Sequence, residues 1–120
     1  MLLETENLRE YNELLVKLRV NKIDEFGNQS IQLIRKMGSD ELNTATIVTL
    51  QRWDVLLENI FYSFLDEIFN CGAHPDSILN YSGRIPIGGD EKEDIRLIKF
   101  FIRRGAKTKT LKHLIELMGN

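Results

Sequence analysis

The chain has few side chains of the kinds that bind metals or act as nucleophiles. Cys71 is its one cysteine, and His74 and His113 are its two histidines. A structural zinc site needs a full tetrahedral set of ligands, and a catalytic cysteine needs a base that activates it. These three residues meet neither requirement, and the sequence contains neither Gly-x-Gly-x-x-Gly nor a phosphate-binding loop. We therefore predict no metal, no cofactor and no enzymatic activity.

Residues 88–91, Gly-Gly-Asp-Glu, resemble the start of the signature motif of the GGDEF-type nucleotide cyclases. In that family the motif lies on a hairpin, in a domain longer than this chain and with further metal-binding acids upstream. Lys92 stands here where the family has Phe. Asp90 also has a purely structural explanation, because Asp caps helix N-termini and Glu93 three residues later completes a capping box. We interpret Asp90 as a helix cap.

Basic side chains concentrate near the C-terminus. The segment from Asp94 to Lys112 has seven basic residues and one acidic residue, whereas the rest of the chain has nine Lys and Arg against 17 Asp and Glu. Cations are typical of the last turn of a helix, where they offset its dipole, and we prefer this explanation. The alternative is a helical nucleic-acid-binding protein in which the basic segment 96–112 contacts phosphates.

The composition is typical of one folded domain. The chain has 120 residues, of which 42% are hydrophobic and 28% charged. No apolar run approaches the roughly 20 residues that cross a bilayer, and the N-terminus lacks the pattern of a secretory signal. One cysteine cannot form an internal disulfide. We expect a cytoplasmic protein that does not contact a membrane.

The spacing of hydrophobic residues predicts helices in the first third of the chain. Residues 4–19 place apolar side chains at three- and four-residue intervals, as one face of a helix does. Asp24 and Gly27 predict a tight turn at residues 24–28. A short helix should follow and end at Gly38.

The rest of the chain is also predicted to be helical. Residues 40–70 carry a broad apolar face, either as one long helix or as two helices with a break near residues 58–59. The segment from Asp90 to Gly105 has clear signals for both helix ends. Thr110 is predicted to cap the last helix.

Two of the predicted helices end in the same dipeptide. Gly72-Ala73 follows one and Gly105-Ala106 follows the other, 33 residues later. This spacing resembles the ankyrin repeat, whose unit is a β-turn and two helices with the same period. The segment from Gly83 to Ile87 is similar to the Gly-x-Thr-Pro-Leu of that family, whereas residues 29–32 depart from its Thr-Pro-Leu-His.

The resemblance implies an all-α fold. We expect a short ankyrin-like helical repeat stack with an inserted long helix within 40–70 and a C-terminal capping helix. The single domain 1–120 would hold repeat-like units at about 20–72 and 73–110, with helical flanks at 1–19 and 111–120.

The resemblance also implies a non-catalytic module that binds or inhibits another protein, as immunity proteins and host-factor-binding proteins do. Ankyrin-type proteins contact their partners through turn tips and the short first helices, and Phe26 and Tyr81 are the expected anchors. A third hypothesis is self-association through the apolar face of residues 40–70. The predicted partner-binding residues are Glu25, Phe26, Asn28, Arg35, Lys36, Tyr81 and Arg84.

Overall fold

The protein is all-helical. A computed structural model describes residues 3–18, 23–54, 56–86 and 90–119, and within these ranges there are helices and no strand. This confirms the predicted all-α class. No helix in the described ranges is long and apolar enough to cross a bilayer. The elements are α1 (Glu6–Leu18), α2 (Ile23–Lys36), α3 (Ser39–Gln51), α4 (Glu58–Asn70), a 3-10 helix (Pro75–Asn80), α5 (Glu91–Arg103) and α6 (Thr108–Leu117).

The first and fifth α-helices agree with the sequence prediction. Helix α1 buries the predicted apolar face, including Tyr11 and Leu15, which are fully buried. Helix α5 begins after Asp90, whose carboxylate accepts a hydrogen bond of 3.0 Å from the backbone N–H of Lys92. Asp90 is therefore a helix cap, as interpreted from the sequence. Gly88 and Gly89 lie outside the described residues.

The predicted tight turn at residues 24–28 is wrong, because helix α2 runs through these positions. Gly27 and Asn28 lie in the first half of the helix. The apolar side of α2 explains the difference: Ile34 is fully buried and Phe26 packs against the core. Burial of this face outweighs the local turn preference of Gly and Asn.

Residues 40–70 form two helices of 13 residues each, so the inserted long helix is also wrong and the two-helix alternative is confirmed. The connection covers residues 52–57, earlier than the predicted break. Trp53 lies in this connection with its ring centroid 4.9 Å from that of Phe61, edge to face. The apolar face of α4 is consumed by the core, where Phe61 and Leu65 are fully buried.

Helices α4 and α5 end in the same hydrogen-bonded motif. Gly72 and Gly105 have positive φ angles of 121° and 86°. The backbone N–H of Ala73 donates to the carbonyl of Ile68 at 3.2 Å, and the N–H of Ala106 donates to the carbonyl of Phe101 at 3.0 Å. These are the bonds of a Schellman cap, in which glycine takes the left-handed conformation at little cost. The predicted glycine stops at Gly72 and Gly105 are confirmed, whereas Gly38, predicted to end the helix before it, has a φ of -80° and is the N-cap of α3.

Several helix bounds recur at an offset of 33 residues, although α4 begins 35 positions after α2 and the 3-10 helix begins 36 positions after α3. Helix α5 begins and ends 33 positions after α4, and α3 begins and ends 33 positions after α1. The 3-10 helix begins at Pro75, and α6 begins 33 positions later, at Thr108. The segment 40–70 therefore follows the same spacing as the Gly-Ala pairs, and no inserted residues are needed to account for it.

Helices α4 and α5 run in parallel. Arg96 of α5 pairs with Glu58 near the start of α4, and Arg104 pairs with Asp66 near its end at 2.6 Å. Both pairs span 38 positions, and a constant offset along two helices requires the same direction. Among the described residues, every side-chain hydrogen bond that reaches beyond neighbouring turns joins positions 30 to 40 apart.

Helix α6 begins earlier than predicted. Its first residue is Thr108, and Thr110 is not its cap. Thr110 is fully buried, and its hydroxyl donates to the carboxylate of Asp76. The hydroxyl predicted to cap the start of the last helix thus connects α6 to the 3-10 helix.

The backbone of α2 gives a direct test of this fold. A Cβ added at Gly27 would meet no atom within 4 Å. We expect Gly27→Ala to raise the free energy of unfolding by about 0.5–1 kcal/mol, because glycine is unfavourable inside a helix. Urea unfolding followed by circular dichroism measures the change.

Gly105→Ala is the matched control for this substitution. Its φ of 86° disfavours a side chain, so we expect a loss of about 1 kcal/mol. A loss of stability in Gly27→Ala similar to that in Gly105→Ala would contradict the continuous helix and favour a turn at residues 24–28.

Candidate interaction surface

Two open depressions lie side by side where α3, the 3-10 helix and α6 follow one another. We call their lining the front surface. The first depression has a volume of about 290 Å³ and is lined by Leu3, Asp40, Asn43, Thr44, Ile47, Ser77, Asn80 and Tyr81. The second has a volume of about 530 Å³ and is lined by Leu79, Thr108, Lys109, Lys112, His113 and Glu116. The charge of the front surface changes along its length, because Asp40 lies in the first depression and Lys109 and Lys112 lie in the second.

Polar side chains hold the elements of the front surface in register. The carboxamide oxygen of Asn43 in α3 accepts a hydrogen bond of 3.0 Å from the backbone N–H of His74. In the same way, Asp76 Oδ1 accepts one of 3.1 Å from the N–H of Lys107. The two donors, His74 and Lys107, are 33 positions apart, and so are the two acceptors, Asn43 and Asp76. The first bond joins α3 to the start of the 3-10 helix, and the second joins the 3-10 helix to the start of α6.

Asp76 lies near the start of the 3-10 helix, and its carboxylate accepts two hydrogen bonds from α6 and its N-cap. Hydrogen bonds from the Thr110 hydroxyl and the Lys107 backbone stabilise its carboxylate and lower its pKa. The Thr110 bond is the larger cause. Because the ionised form is favoured in the folded state, Asp76 contributes stability only where it is ionised.

Tyr81 lies in the first depression and connects three elements. Its hydroxyl accepts a hydrogen bond of 2.6 Å from Gln51 Nε2 of α3, and its carbonyl accepts one of 2.6 Å from His113 Nε2 of α6. His113 must therefore carry its proton on Nε2. Gly83 lies under the phenol, since a Cβ there would come within 2.1 Å of the Tyr81 hydroxyl oxygen. Tyr81 is thus a packed residue with an exposed edge, and its predicted role as a binding anchor stays a prediction.

The three predicted residues of the first turn lie on α2 instead. Glu25 and Asn28 are exposed on this helix, and Phe26 is half-buried with the Lys17 ammonium nitrogen 5.7 Å from its ring centroid. They do not project from a turn tip. Their place on a helix removes the geometric reason for choosing them, although no contact with a partner has been tested.

The remaining predicted residues lie apart from the front surface. Arg35 and Lys36 are in the last turn of α2, and Arg35 Nε pairs with Glu67 Oε1 of α4 at 2.6 Å. The guanidinium of Arg84 lies against Gly119, where an added Cβ would come within 2.4 Å of it. Among the described residues, Tyr81 is the one member of the predicted set that lines a front-surface depression.

Sequence reasoning missed Asn43 and Asp76, and it assigned Thr110 a different role. The signal that could have found them is their relation by the period, since Asn43 and Asp76 are 33 positions apart like the Gly-Ala pairs. A hydrogen-bond acceptor that recurs at the repeat spacing, while the residues around it differ, predicts that both acceptors make the same kind of contact with the backbone.

The basic segment 96–112 is partly neutralised within the chain. Besides their ion pairs with α4, Arg96 stacks over the Tyr62 ring at 4.5 Å and Arg104 lies 5.7 Å from the Phe100 centroid. Burial raises the pKa of Tyr62 to about 12, and its hydroxyl has no hydrogen-bond partner among the described residues. Five cations of the segment make no ion pair with any described residue: Lys99, Arg103, Lys107, Lys109 and Lys112.

The side chains that could act as nucleophiles or metal ligands make contacts within the fold instead. Burial, with Glu67 nearby, raises the pKa of the Cys71 thiol, which is the opposite of what a nucleophilic cysteine needs. His74 Nδ1 accepts a hydrogen bond of 3.1 Å from the Asp76 backbone and so caps the 3-10 helix. Within the described ranges, no group of three or more His, Cys, Asp or Glu could hold a metal ion.

Comparison with known proteins adds no assignment: no protein-family model, curated protein or solved structure matches this chain.

The lowered pKa of Asp76 predicts how stability depends on pH. An unfolded Asp has a pKa of about 3.9, so the contribution of Asp76 is complete above that pH and is lost as pH falls through the lower folded-state pKa. We expect Asp76→Asn to cost about 1 kcal/mol near pH 7 and less in acid. Urea unfolding between about pH 2 and pH 7 measures the difference from the wild type.

Thr110→Val is the matched variant for this experiment. It removes the main hydrogen bond to Asp76 while keeping the side-chain shape, so it should reduce the same part of the pH dependence. An Asp76→Asn protein whose stability differs from the wild type by a constant amount at every pH would contradict the assigned role.

Proposed function

We propose that the chain is an ankyrin-like helical-repeat protein that acts by binding another protein through its front surface. The observation that carries the proposal is the 33-residue offset shared by helix bounds, Schellman caps and the two amide-accepting side chains. A non-catalytic role and a reducing, cytoplasmic compartment are part of the proposal. An immunity-type inhibitor and a host-factor-binding protein are the two forms of it that the resemblance implies.

The pattern of contacts supports the repeat part of the proposal. In a repeat protein each unit touches only its neighbours, and the side-chain hydrogen bonds here span about one period. The units would then be helix pairs, α1 with α2 and α3 with α4, followed by the 3-10 helix with α5 and by α6. This division differs from units at 20–72 and 73–110, because α1 joins the first unit as its first helix.

The chemistry of the front surface supports the binding part. First helices of successive units provide its lining, and the backbone contacts of Asn43 and Asp76 fix their relative positions without covering the depressions. Exposed side chains such as Asn80 and Lys112 are free to contact a partner. A surface of mixed polar and apolar lining, with Asp40 in one depression and Lys109, Lys112 and Glu116 in the other, suits a folded protein partner of complementary charge.

Affinity capture from the native cell tests this function. We expect the wild-type protein to retain a partner protein in stoichiometric amount. Asn80→Arg places a long cation on an exposed position of the front surface and should reduce the captured amount by about tenfold or more. Ser63→Arg, at an exposed position on α4, is the control that should retain the partner. Absence of any stoichiometric protein in the wild-type capture would contradict the proposal.

The five cations of the basic segment that pair with no residue in the described ranges favour one second candidate, a nucleic-acid-binding protein. Binding of this kind weakens steeply with salt, because phosphate contacts release counterions. Under the preferred function we expect the protein to pass through a heparin column at an ionic strength of about 0.15 M. Retention well above that ionic strength, abolished in Lys109→Glu/Lys112→Glu but not in Lys17→Glu, would favour the second candidate.

A further inference from the structure

Helix α5 carries an apolar strip on the side that faces away from α4. Ile95 is 42% exposed and Ile102 53% exposed, and Ile98 lies between them at helical spacing. Phe100 and Arg96, on the other side of the helix, make the contacts with α4. We call Ile95, Ile98 and Ile102, together with Lys99 and Arg103, the end surface.

The molecule itself contains an example of how such a surface is covered. Subtracting 33 from Ile95 and Ile102 gives Tyr62 and Phe69 of α4. These two rings are covered by α5, with Phe100 at centroid distances of 5.5 Å from Tyr62 and 5.9 Å from Phe69. The end surface of α5 therefore corresponds, 33 residues later, to the surface of α4 that α5 covers. The α4–α5 contact serves as the template for a helix that would cover the end surface.

The template also specifies charge. On α4, Asp66 and Asn70 bind the guanidinium of Arg104 at 2.6 Å and 2.7 Å. The equivalent positions on α5, again 33 residues later, are Lys99 and Arg103, and neither makes an ion pair with a described residue. A helix that covers α5 as α5 covers α4 would thus place its residue equivalent to Arg104 between two cations. A carboxylate is the group that fits there.

We propose that the end surface binds an amphipathic helix of a partner protein, with an apolar face on the isoleucine strip and a Glu or Asp between Lys99 and Arg103. This inference rests on the proposed function, since it names the chemistry of a protein partner and adds a second contact surface to the front surface. The apolar strip supplies affinity and the charge pair fixes the direction of the bound helix.

Synthetic peptides provide the test. The first probe is a fluorescent peptide of residues 91–106 with Arg104→Glu, which keeps the α4-covering face and inverts the one charge. The matched probe is the same peptide with the native Arg104. Fluorescence anisotropy with the full-length protein should give a dissociation constant about tenfold or more lower for the first peptide.

Protein variants connect this binding to the end surface. Ile102→Glu should abolish binding of the first peptide, whereas Leu57→Glu, at another exposed apolar residue (57% exposed), should not change it. Lys99→Glu/Arg103→Glu should reverse the preference, so that the native-sequence peptide binds more tightly. Circular dichroism confirms that each variant is folded, and reversal of preference is a gain that misfolding cannot produce.

Three outcomes would overturn the inference: no binding of the first peptide to the wild type, equal affinity for both peptides, or binding that Ile102→Glu leaves unchanged. Sedimentation equilibrium adds a fourth, since a dimer that Ile102→Glu converts to monomer would make a second copy the occupant. The function proposed above would survive each of these, because its own test depends on Asn80→Arg and the captured partner.

Discussion

Polar side chains near the starts of α1, α3 and the 3-10 helix form hydrogen bonds near the starts of α3, the 3-10 helix and α6, and these contacts set the register between these elements. Thr5 donates to Glu41 of α3 at 2.5 Å, Asn43 accepts from His74, and Asp76 accepts from Lys107. Each contact reaches about one 33-residue offset along the chain. They fix the relative height of successive elements, which apolar packing alone would leave adjustable because hydrophobic contacts have little directional preference.

With the starts of these elements in register, helices α4 and α5 meet along their sides. Aromatic rings of α4 and α5 then form a continuous cluster in which Phe69 lies 5.6 Å from Phe101 and Tyr62 lies 5.5 Å from Phe100. The two ion pairs along these helices lie at its edge and are partly exposed, so each adds little stability by itself. They specify the relative direction of the two helices, because an antiparallel arrangement would not bring both arginines to both carboxylates.

The same geometry separates two kinds of surface. The lining of the depressions comes from α3, the 3-10 helix and α6, whereas the apolar strip lies on α5 beside Lys99 and Arg103. Under the proposed function the front surface would bind a folded protein face and the end surface an amphipathic helix. In a stack of helix pairs such a separation is expected, because the stack leaves one side and one end uncovered.

The amino-acid sequence alone determined the all-α class, α1, α5 and the two Gly-Ala helix ends. These follow from local physics: helical spacing of apolar residues, the cap at Asp90 and the left-handed glycines Gly72 and Gly105. The 33-residue spacing was also visible in the sequence, but only at the Gly-Ala pairs. The broad apolar face of the segment 40–70 predicts an insertion there, which hides the spacing in the first half of the chain.

Tertiary structure decided what local signals could not. Gly27 and Asn28 favour a turn by themselves, yet burial of Ile34 and packing of Phe26 keep them in a helix. Thr110 has the side chain of a helix cap, but Asp76 lies close enough to take its hydroxyl. Tyr81 has the size and polarity of a binding anchor, and Gln51 from another helix occupies its hydroxyl. In each case the deciding partner is about 30 residues away or is the core itself, and no local pattern contains that information.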